Sequence, residues 1–103
     1  MQKTIKTQAV EDLFDAILSL KSKEECYSFF EDIFTTNEIL GVAERLEVAK
    51  LLYQNKTYME IAKKTGASTA TISRVNRFLS YGNGSCDVIF ERLGISKETE
   101  DKE

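Results

Sequence analysis

One segment, residues 58–77, constrains the fold of this chain more than any other. Two short helical patterns flank Gly66, and a sharp reversal between helices needs a residue that tolerates a positive φ, as glycine does. Ala62 precedes the reversal by one turn, where two steeply crossing helices can touch only if the side chain is small. In the second pattern, Ile72 and Val75 share one face and leave the opposite face to solvent. This spacing predicts a helix-turn-helix over residues 58–79.

Hydrophobic spacing predicts helices along the rest of the chain, and polar capping residues mark where they begin. The expected capping residues are the pairs Ser22–Glu25, Thr35–Glu38 and Thr57–Glu60, and Ser68. The expected helices outside the motif are a first over 7–20, a second from Ser22, a long third toward Tyr53, and a last over 86–93 that Gly94 stops. We predict one all-α domain of about six helices over residues 1–94, followed by a charged, disordered tail over residues 95–103.

The residue types that the chain lacks argue against several function classes. It contains no histidine, so the commonest general base and transition-metal ligand is missing. Cys26 and Cys86 lie far apart without a base partner, and no glycine-rich phosphate loop occurs. We therefore expect neither an enzyme nor a metal site, and reduced cysteines fit a cytoplasmic protein. No apolar run suits a membrane span or a secretory signal.

Charge is distributed unevenly, which matters more than the net charge of −3. Residues 1–47 hold five Lys and Arg against ten Asp and Glu, whereas residues 48–80 hold six against Glu60 alone. Residues 81–103 are again acidic, with three basic and six acidic side chains. The positive band coincides with the helix-turn-helix, and affinity for nucleic acid depends on charge at the contact face. The alternative is an ordinary patch on a highly charged surface.

Residues on the outward face of the motif are the expected contacts with double-stranded DNA. Short hydroxyls suit close approach to base edges, and lysine and arginine suit phosphates. The expected contacts are Thr57, Lys63, Lys64, Ser68, Thr69, Ala70, Thr71, Ser73, Arg74 and Arg77. The alternative for the hydroxyls is helix capping, and for the lysines a solvated helix end. Arg74 has a further alternative, an ion pair with Glu44 or Glu47 of the third helix.

Large apolar side chains are abundant in the first three helices, which bears on assembly. Phe14, Phe29, Phe30 and Phe34 lie there, and the third helix is apolar over more than one face. A two-fold homodimer would bury these residues and place two reading helices about 34 Å apart. A single monomeric bundle is the alternative.

Several segments of the chain carry a family resemblance. They are Thr35-Thr-Asn-Glu38 leading into a helix with Arg45, Leu51-Leu52, Glu60-Ile61, Gly66-Ala67 and Ala70-Thr-Ile-Ser-Arg74. Over residues 7–94 the chain resembles the Trp repressor superfamily, and most of all its YerC/YecD branch. The resemblance implies an all-α, intertwined dimer and a function in sequence-specific transcriptional repression.

The same resemblance implies a possible effector site. Trp repressors bind L-tryptophan as a corepressor between the third helix and the reading helix, where two arginines correspond to Arg45 and Arg74 and an opposing-chain threonine to Thr35. Val75 replaces a family glycine beside that slot, and Phe78 replaces a serine. Because these larger side chains would fill the slot, they argue against tryptophan and leave the identity of any small-molecule corepressor open.

The sequence thus predicts a sequence-specific DNA-binding transcriptional regulator, a repressor acting as a homodimer. The alternative is a protein-interaction module that keeps the helix-turn-helix shape without reading DNA. The acidic first half, and the non-basic Ala70 and Asn76 in the second motif helix, favour that alternative.

Overall fold

A computed structural model describes residues 4–97, which form six α-helices and no strand. The helices are α1 (Gln8–Leu18), α2 (Lys23–Ile33), α3 (Thr36–Tyr53), α4 (Tyr58–Thr65), α5 (Thr69–Tyr81) and α6 (Ser85–Arg92). The all-α class and the number of helices are as the sequence predicted. No helix within residues 4–97 is both long and apolar enough to cross a bilayer. The chain divides into two units, one ending at Ile39 and the other beginning at Leu40.

The first unit contains α1 and α2, and neither helix has a fully buried residue. Helix α1 ends at Leu18, earlier than predicted, where the Ser19 hydroxyl donates to the Ala16 carbonyl at 2.7 Å. Ser22 caps α2 as expected, accepting the Glu25 N–H at 3.1 Å. In a full capping box the Glu25 carboxylate would accept the N–H of Ser22. Here it accepts the N–H of Lys21 instead, at 2.9 Å.

Aromatic contacts supply part of the packing of the first unit. The rings of Phe30 and Phe34 stack with centroids 4.9 Å apart, and Phe29 meets Phe30 edge-on at 5.7 Å. Other large apolar side chains of α1 and α2 remain open to solvent, with Leu18 82% exposed and Ile33 59% exposed. The unit therefore carries apolar surface that its own residues do not cover.

Helix α3 begins with the predicted capping box and is buried only toward its end. The Thr35 hydroxyl accepts the Glu38 N–H at 3.1 Å, and the Glu38 carboxylate accepts the Thr35 N–H at 2.9 Å. Among the apolar residues that follow, Leu40, Val42 and Leu46 are exposed. The prediction of burial on several sides is therefore met only in the last turns of α3.

The second unit contains the hydrophobic core. Its buried residues come from α3, α4, α5, α6 and the turn before α5, and they are Val48, Ala49, Leu51, Ile61, Ala67, Ile72, Val75 and Phe90. Phe90 is 1% exposed, and its ring packs at a tilt on Tyr53 with centroids 5.1 Å apart. Burying apolar area on this scale is what fixes α5 against the rest of the unit.

The last helix stops before Gly94, as predicted, and this glycine is left-handed. Gly94 has φ +75°, and the next N–H, of Ile95, donates to the Phe90 carbonyl at 2.9 Å. Ile95 packs on the core, and the Lys97 ammonium lies 5.4 Å from the centroid of the Tyr53 ring. Of the tail predicted over residues 95–103, residues 98–103 lie outside the described part of the chain.

Candidate nucleic-acid interface

Helices α4 and α5 form the predicted helix-turn-helix. A full capping box opens α4, in which the Thr57 hydroxyl accepts the Glu60 N–H at 3.1 Å and the Glu60 carboxylate accepts the Thr57 N–H at 2.8 Å. Gly66 ends the helix with φ +78°, and its N–H donates to the Ala62 carbonyl at 2.8 Å. The glycine predicted at the reversal therefore adopts the left-handed conformation that the turn requires.

Thr65 holds the turn itself, which the sequence reasoning did not anticipate. Its hydroxyl donates to the Ile61 carbonyl at 2.8 Å and accepts the Ala67 N–H at 3.1 Å. Ala67 is 6% exposed and belongs to the core. One side chain thus satisfies a carbonyl of α4 and an amide of the turn, which fixes the angle at which α5 departs. A hydroxyl just before Gly66 is the sequence signal for this role.

Helix α5 has one buried and one exposed face. Ile72 is 0% exposed and Val75 is 5% exposed, whereas Ser73, Arg74 and Arg77 lie at the surface. The expected contacts that are exposed are Thr57, Lys63, Lys64, Ser68, Thr69, Ala70, Ser73, Arg74 and Arg77, and Thr71 is half-buried. The two sides of α5 are therefore distinct, one fixed in the core and the other open to solvent.

The hydroxyls at the start of α5 fall into two groups. The Ser68 hydroxyl accepts the Thr71 N–H at 3.1 Å and donates to the Thr71 hydroxyl, also at 3.1 Å. These two side chains are engaged in capping the helix, which was the alternative interpretation for them. Thr69 and Ser73 make no hydrogen bond through their side chains within residues 4–97. Their hydroxyls are therefore available to an external partner.

The basic side chains of the interface are unpaired within the described chain. Lys63, Lys64, Arg74 and Arg77 are exposed, and no ion pair involves them within residues 4–97. The ion pair expected as an alternative for Arg74, with Glu44 or Glu47, does not form within residues 4–97. Glu47 pairs with Lys50 on its own helix at 3.4 Å.

The three residues implied in effector binding have the following surroundings. The hydroxyl oxygen of Thr35 caps α3. Arg45, like Arg74, is exposed and has no ion pair within residues 4–97. Of the two slot-filling substitutions, Val75 points into the core of its own unit, whereas Phe78 is 58% exposed. No group of three or more acidic or cysteine side chains between residues 4 and 97 is placed to hold a metal ion.

Two aromatic rings extend the exposed face of α5 beyond the predicted contacts. Arg74, Arg77, Phe78 and Tyr81 line one shallow depression, and we call these four residues the arginine–aromatic surface. Phe78 is 58% exposed and Tyr81 is 87% exposed. The spacing of three, four and seven residues from Arg74 was the sequence signal that would have placed both rings on this face.

Comparisons with known proteins agree with this geometry. The family model for the Trp repressor protein matches residues 8–94. The uncharacterized protein YerC of Bacillus subtilis is 51% identical over 96 residues, which cover 93% of this chain and 89% of YerC. The crystal structure of a TrpR-like protein from Eubacterium eligens is 63% identical with a TM-score of 0.88, and the match covers 91% of this chain and 97% of that one. A Trp-repressor-type protein from Staphylococcus aureus is 46% identical with a TM-score of 0.88, over 94% and 100% of the two chains.

An all-α chain with a helix-turn-helix and exposed basic side chains on its second motif helix has the architecture that is typical of DNA-binding regulators. The chain belongs to the Trp repressor family, on the YerC-type branch. Proteins of this family are regulatory DNA-binding proteins and not enzymes, which confirms the expectation that this chain has no catalytic function.

Proposed function

We propose that this protein is a sequence-specific regulator of transcription, a repressor that binds double-stranded DNA through its helix-turn-helix. The observation that carries the proposal is the two-faced α5. Ile72 and Val75 fix one face in the core, while the opposite face presents arginines that have no ion pair within residues 4–97. A rigid helix with unpaired cations and short side chains suits insertion into a major groove.

The residues of the interface divide by the kind of contact their chemistry supports. Thr69, Ala70 and Ser73 present small side chains at the start of the reading helix, where base edges are met. Lys63 and Lys64 lie beside the turn and suit contacts with phosphates. The capping residues Thr57, Ser68 and Thr71 hold the two helix starts in position.

The proposed active form is a homodimer. Support comes from apolar side chains that a single chain leaves uncovered, including Leu18 (82% exposed), Leu40 (61%) and Val42 (56%). Large apolar side chains that are exposed to this extent support a protein–protein interface. A two-fold dimer would present two copies of α5 about one DNA turn apart, which predicts an operator with two half-sites.

The proposed repressor does not use L-tryptophan as its corepressor. Phe78 lies one turn after Arg74 and lines the same shallow depression, so a large ring stands where the resemblance implies a small serine. Isothermal titration calorimetry with L-tryptophan and a panel of other amino acids tests this point. Saturable binding of tryptophan would contradict it, and binding of another compound would identify an effector.

A titration of labelled random-sequence duplex at two salt concentrations tests DNA binding. We expect binding at 50 mM salt that weakens steeply at 200 mM, because phosphate contacts release counterions. Selection of bound sequences from a random pool then tests specificity and half-site spacing. Undetectable binding at 50 mM salt, or binding insensitive to salt, would favour the protein-interaction module.

Substitution of the two arginines tests the assignment of the reading helix. We expect Arg74→Ala together with Arg77→Ala to lower affinity at least tenfold and to reduce the salt slope by about 2. The fold should persist because both side chains are exposed. Arg92→Ala, an exposed cation on α6, is the control and should leave affinity nearly unchanged. Equal affinities for the double variant and the control would show that the DNA-binding face is elsewhere.

A further inference from the structure

We propose that a pocket beside α6 binds a small zwitterion, with the ligand's ammonium at Asp87 and its carboxylate at Lys97. We call it the α6 pocket, and the lining residues that bear on the ligand are Tyr53, Asn76, Ser80, Asp87, Phe90 and Lys97. None of them is among the expected contacts with DNA or the effector residues that the family resemblance implies. The α6 pocket is therefore a separate site, and a ligand can bind there without DNA.

Three helices and the chain after α6 line the pocket. Tyr53 ends α3, and Asp87 lies in the first turn of α6. Asn76 and Ser80 lie one turn apart on α5. Phe90 is 1% exposed and its ring packs on Tyr53, so this part of the lining belongs to the hydrophobic core. A lining held by the core is formed before a ligand arrives, as is usual for small-molecule sites.

The two charged side chains of the pocket have opposite signs and do not pair with each other. Asp87 is exposed and makes no ion pair within residues 4–97. The Lys97 ammonium lies 5.4 Å from the centroid of the Tyr53 ring and also lacks a carboxylate partner in that range. The face of an aromatic ring attracts a cation and so helps to position it. The pocket therefore offers a carboxylate and a separate ammonium to one ligand.

Two neutral polar side chains of α5 add hydrogen-bonding groups to the pocket. The amide of Asn76 is half-buried and the hydroxyl of Ser80 is exposed, and neither side chain makes a hydrogen bond within residues 4–97. Polar groups that are withdrawn from solvent are usually hydrogen-bonded, so the Asn76 amide is a candidate for an external partner. Amides and hydroxyls both donate and accept, so they suit either charged end of a zwitterion.

The volume and the charges of the pocket together define the class of ligand. The volume is about 200 Å³, which is room for about seven water molecules and lies below the ~300 Å³ at which pockets for drug-sized ligands begin. The ligand is therefore a compact molecule with a similar number of non-hydrogen atoms. A ligand with a single charge would be attracted by one side chain and repelled by the other, whereas a zwitterion is attracted by both. Small aliphatic α-amino acids meet both conditions.

Titration of ¹⁵N-labelled protein with L-valine measures binding at this site. We expect saturable changes in the amide shifts of residues 76–80, 86–90 and 97 as L-valine rises to about 10 mM, because so few ligand atoms support only a modest affinity. Shifts that change without saturating, or that saturate only at other residues, would overturn the proposal.

Two analogues of L-valine test whether both charges are recognised. 3-Methylbutanoate lacks the ammonium, and 2-methylpropylamine lacks the carboxylate. We expect each to bind at least about fivefold more weakly than L-valine, because each loses a charge-assisted hydrogen bond and meets one like charge. Equal affinity for L-valine and either analogue would contradict the assignment of a zwitterion.

Substitution of Asp87 and Lys97 tests which side chain meets which charge. In Asp87→Asn we expect the preference for L-valine over 3-methylbutanoate to fall below about twofold. In Lys97→Gln the preference over 2-methylpropylamine should fall to the same extent. The fold should persist because both side chains are exposed. A ratio of two affinities does not change when a variant merely loses stability, so the wild-type preference in either variant would overturn its assignment.

The matched controls remove the same charges outside the pocket. Asp15→Asn on α1 and Lys23→Gln on α2 are at exposed positions, and both should keep the wild-type preferences. Loss of preference in the controls as well would show that net charge and not the α6 pocket selects the ligand, which also contradicts the site. Failure of the protein to bind DNA would leave all these results unchanged, since none of the measurements contains DNA.

Discussion

Gly66 and Gly41 both lack close neighbours, yet alanine at the two positions should change the stability of the fold in opposite directions. A Cβ at either position meets nothing within 4 Å. Gly66 has φ +78°, so alanine there must adopt a left-handed conformation, whereas Gly41 lies inside α3. We expect Gly66→Ala to lower the free energy of unfolding by about 1 kcal/mol. Gly41→Ala should raise it by about 0.5 kcal/mol.

Urea unfolding of both variants at one protein concentration measures this contrast, since oligomer stability depends on concentration. Equal effects of the two substitutions would show that backbone conformation is not what selects glycine at the turn.

Ser68 and Thr69 are adjacent hydroxyls with separate roles. Ser68 accepts the N–H of Thr71, so Ser68→Ala should lower the free energy of unfolding by about 1 kcal/mol. Thr69 is exposed and its side chain makes no hydrogen bond within residues 4–97. Thr69→Ala should therefore leave stability within about 0.5 kcal/mol of wild type. It should weaken binding to a selected operator about tenfold, by loss of a base contact.

Urea unfolding and anisotropy, measured on the same two variants, separate these effects. A large loss of stability in Thr69→Ala would mean that its hydroxyl supports the fold and not the interface.

Capping hydrogen bonds and backbone conformations were predictable from the sequence where the groups involved lie within a few residues of each other. The capping boxes of α3 and α4 and the positive φ of Gly66 follow from three- and four-residue spacing. The bond from Lys21 to Glu25 was missed because two neighbouring N–H groups, of Lys21 and Ser22, compete for one carboxylate. Spacing alone does not decide between them.

At the scale of elements, α6 shows how a short helix fixes the reading helix. Phe90 is 1% exposed and packs on Tyr53, so it joins α6 to the end of α3 in the core that also holds Ile72. Phe90→Ala should lower the free energy of unfolding by about 3–4 kcal/mol through lost burial and a residual cavity. Ile89→Ala, at a 42% exposed neighbour, is the control and should cost under about 1.5 kcal/mol.

Thermal and urea unfolding measure the two losses, and hydrogen exchange shows where structure is lost. The amides of α5 should lose protection in Phe90→Ala, because their buried face depends on the same core. Retained protection in α5 would mean that α4 and the turn suffice to hold the reading helix.

The faces of the helices were predictable only in part, and α3 shows why. Its apolar residues cover more than one face, which predicted burial on several sides, yet Leu40, Val42 and Leu46 are exposed. Periodicity identifies which side chains favour burial and does not identify what covers them. For the same reason, Arg74 and Arg77 of α5 could be predicted only as outward-facing, since the presence of a carboxylate within reach of them depends on the folded structure.

At the scale of the whole molecule, the uncovered apolar residues lead to a prediction about assembly. Leu18 is 82% exposed on α1, and Met59 is 80% exposed on α4, so each would tolerate a charge in an isolated chain. In the proposed homodimer Leu18 belongs to the apolar surface that a second copy covers, and a buried unpaired carboxylate there would cost several kcal/mol.

We therefore expect Leu18→Glu to convert the dimer to a monomer in sedimentation equilibrium at micromolar concentration. Met59→Glu, matched in exposure, should leave the dimer intact. The monomeric variant should also bind a two-half-site operator far more weakly, because a single reading helix loses the gain in affinity from a linked second contact. A monomeric wild type, or a Leu18→Glu variant as dimeric as Met59→Glu, would remove α1 from the interface and leave the exposed apolar face to another partner.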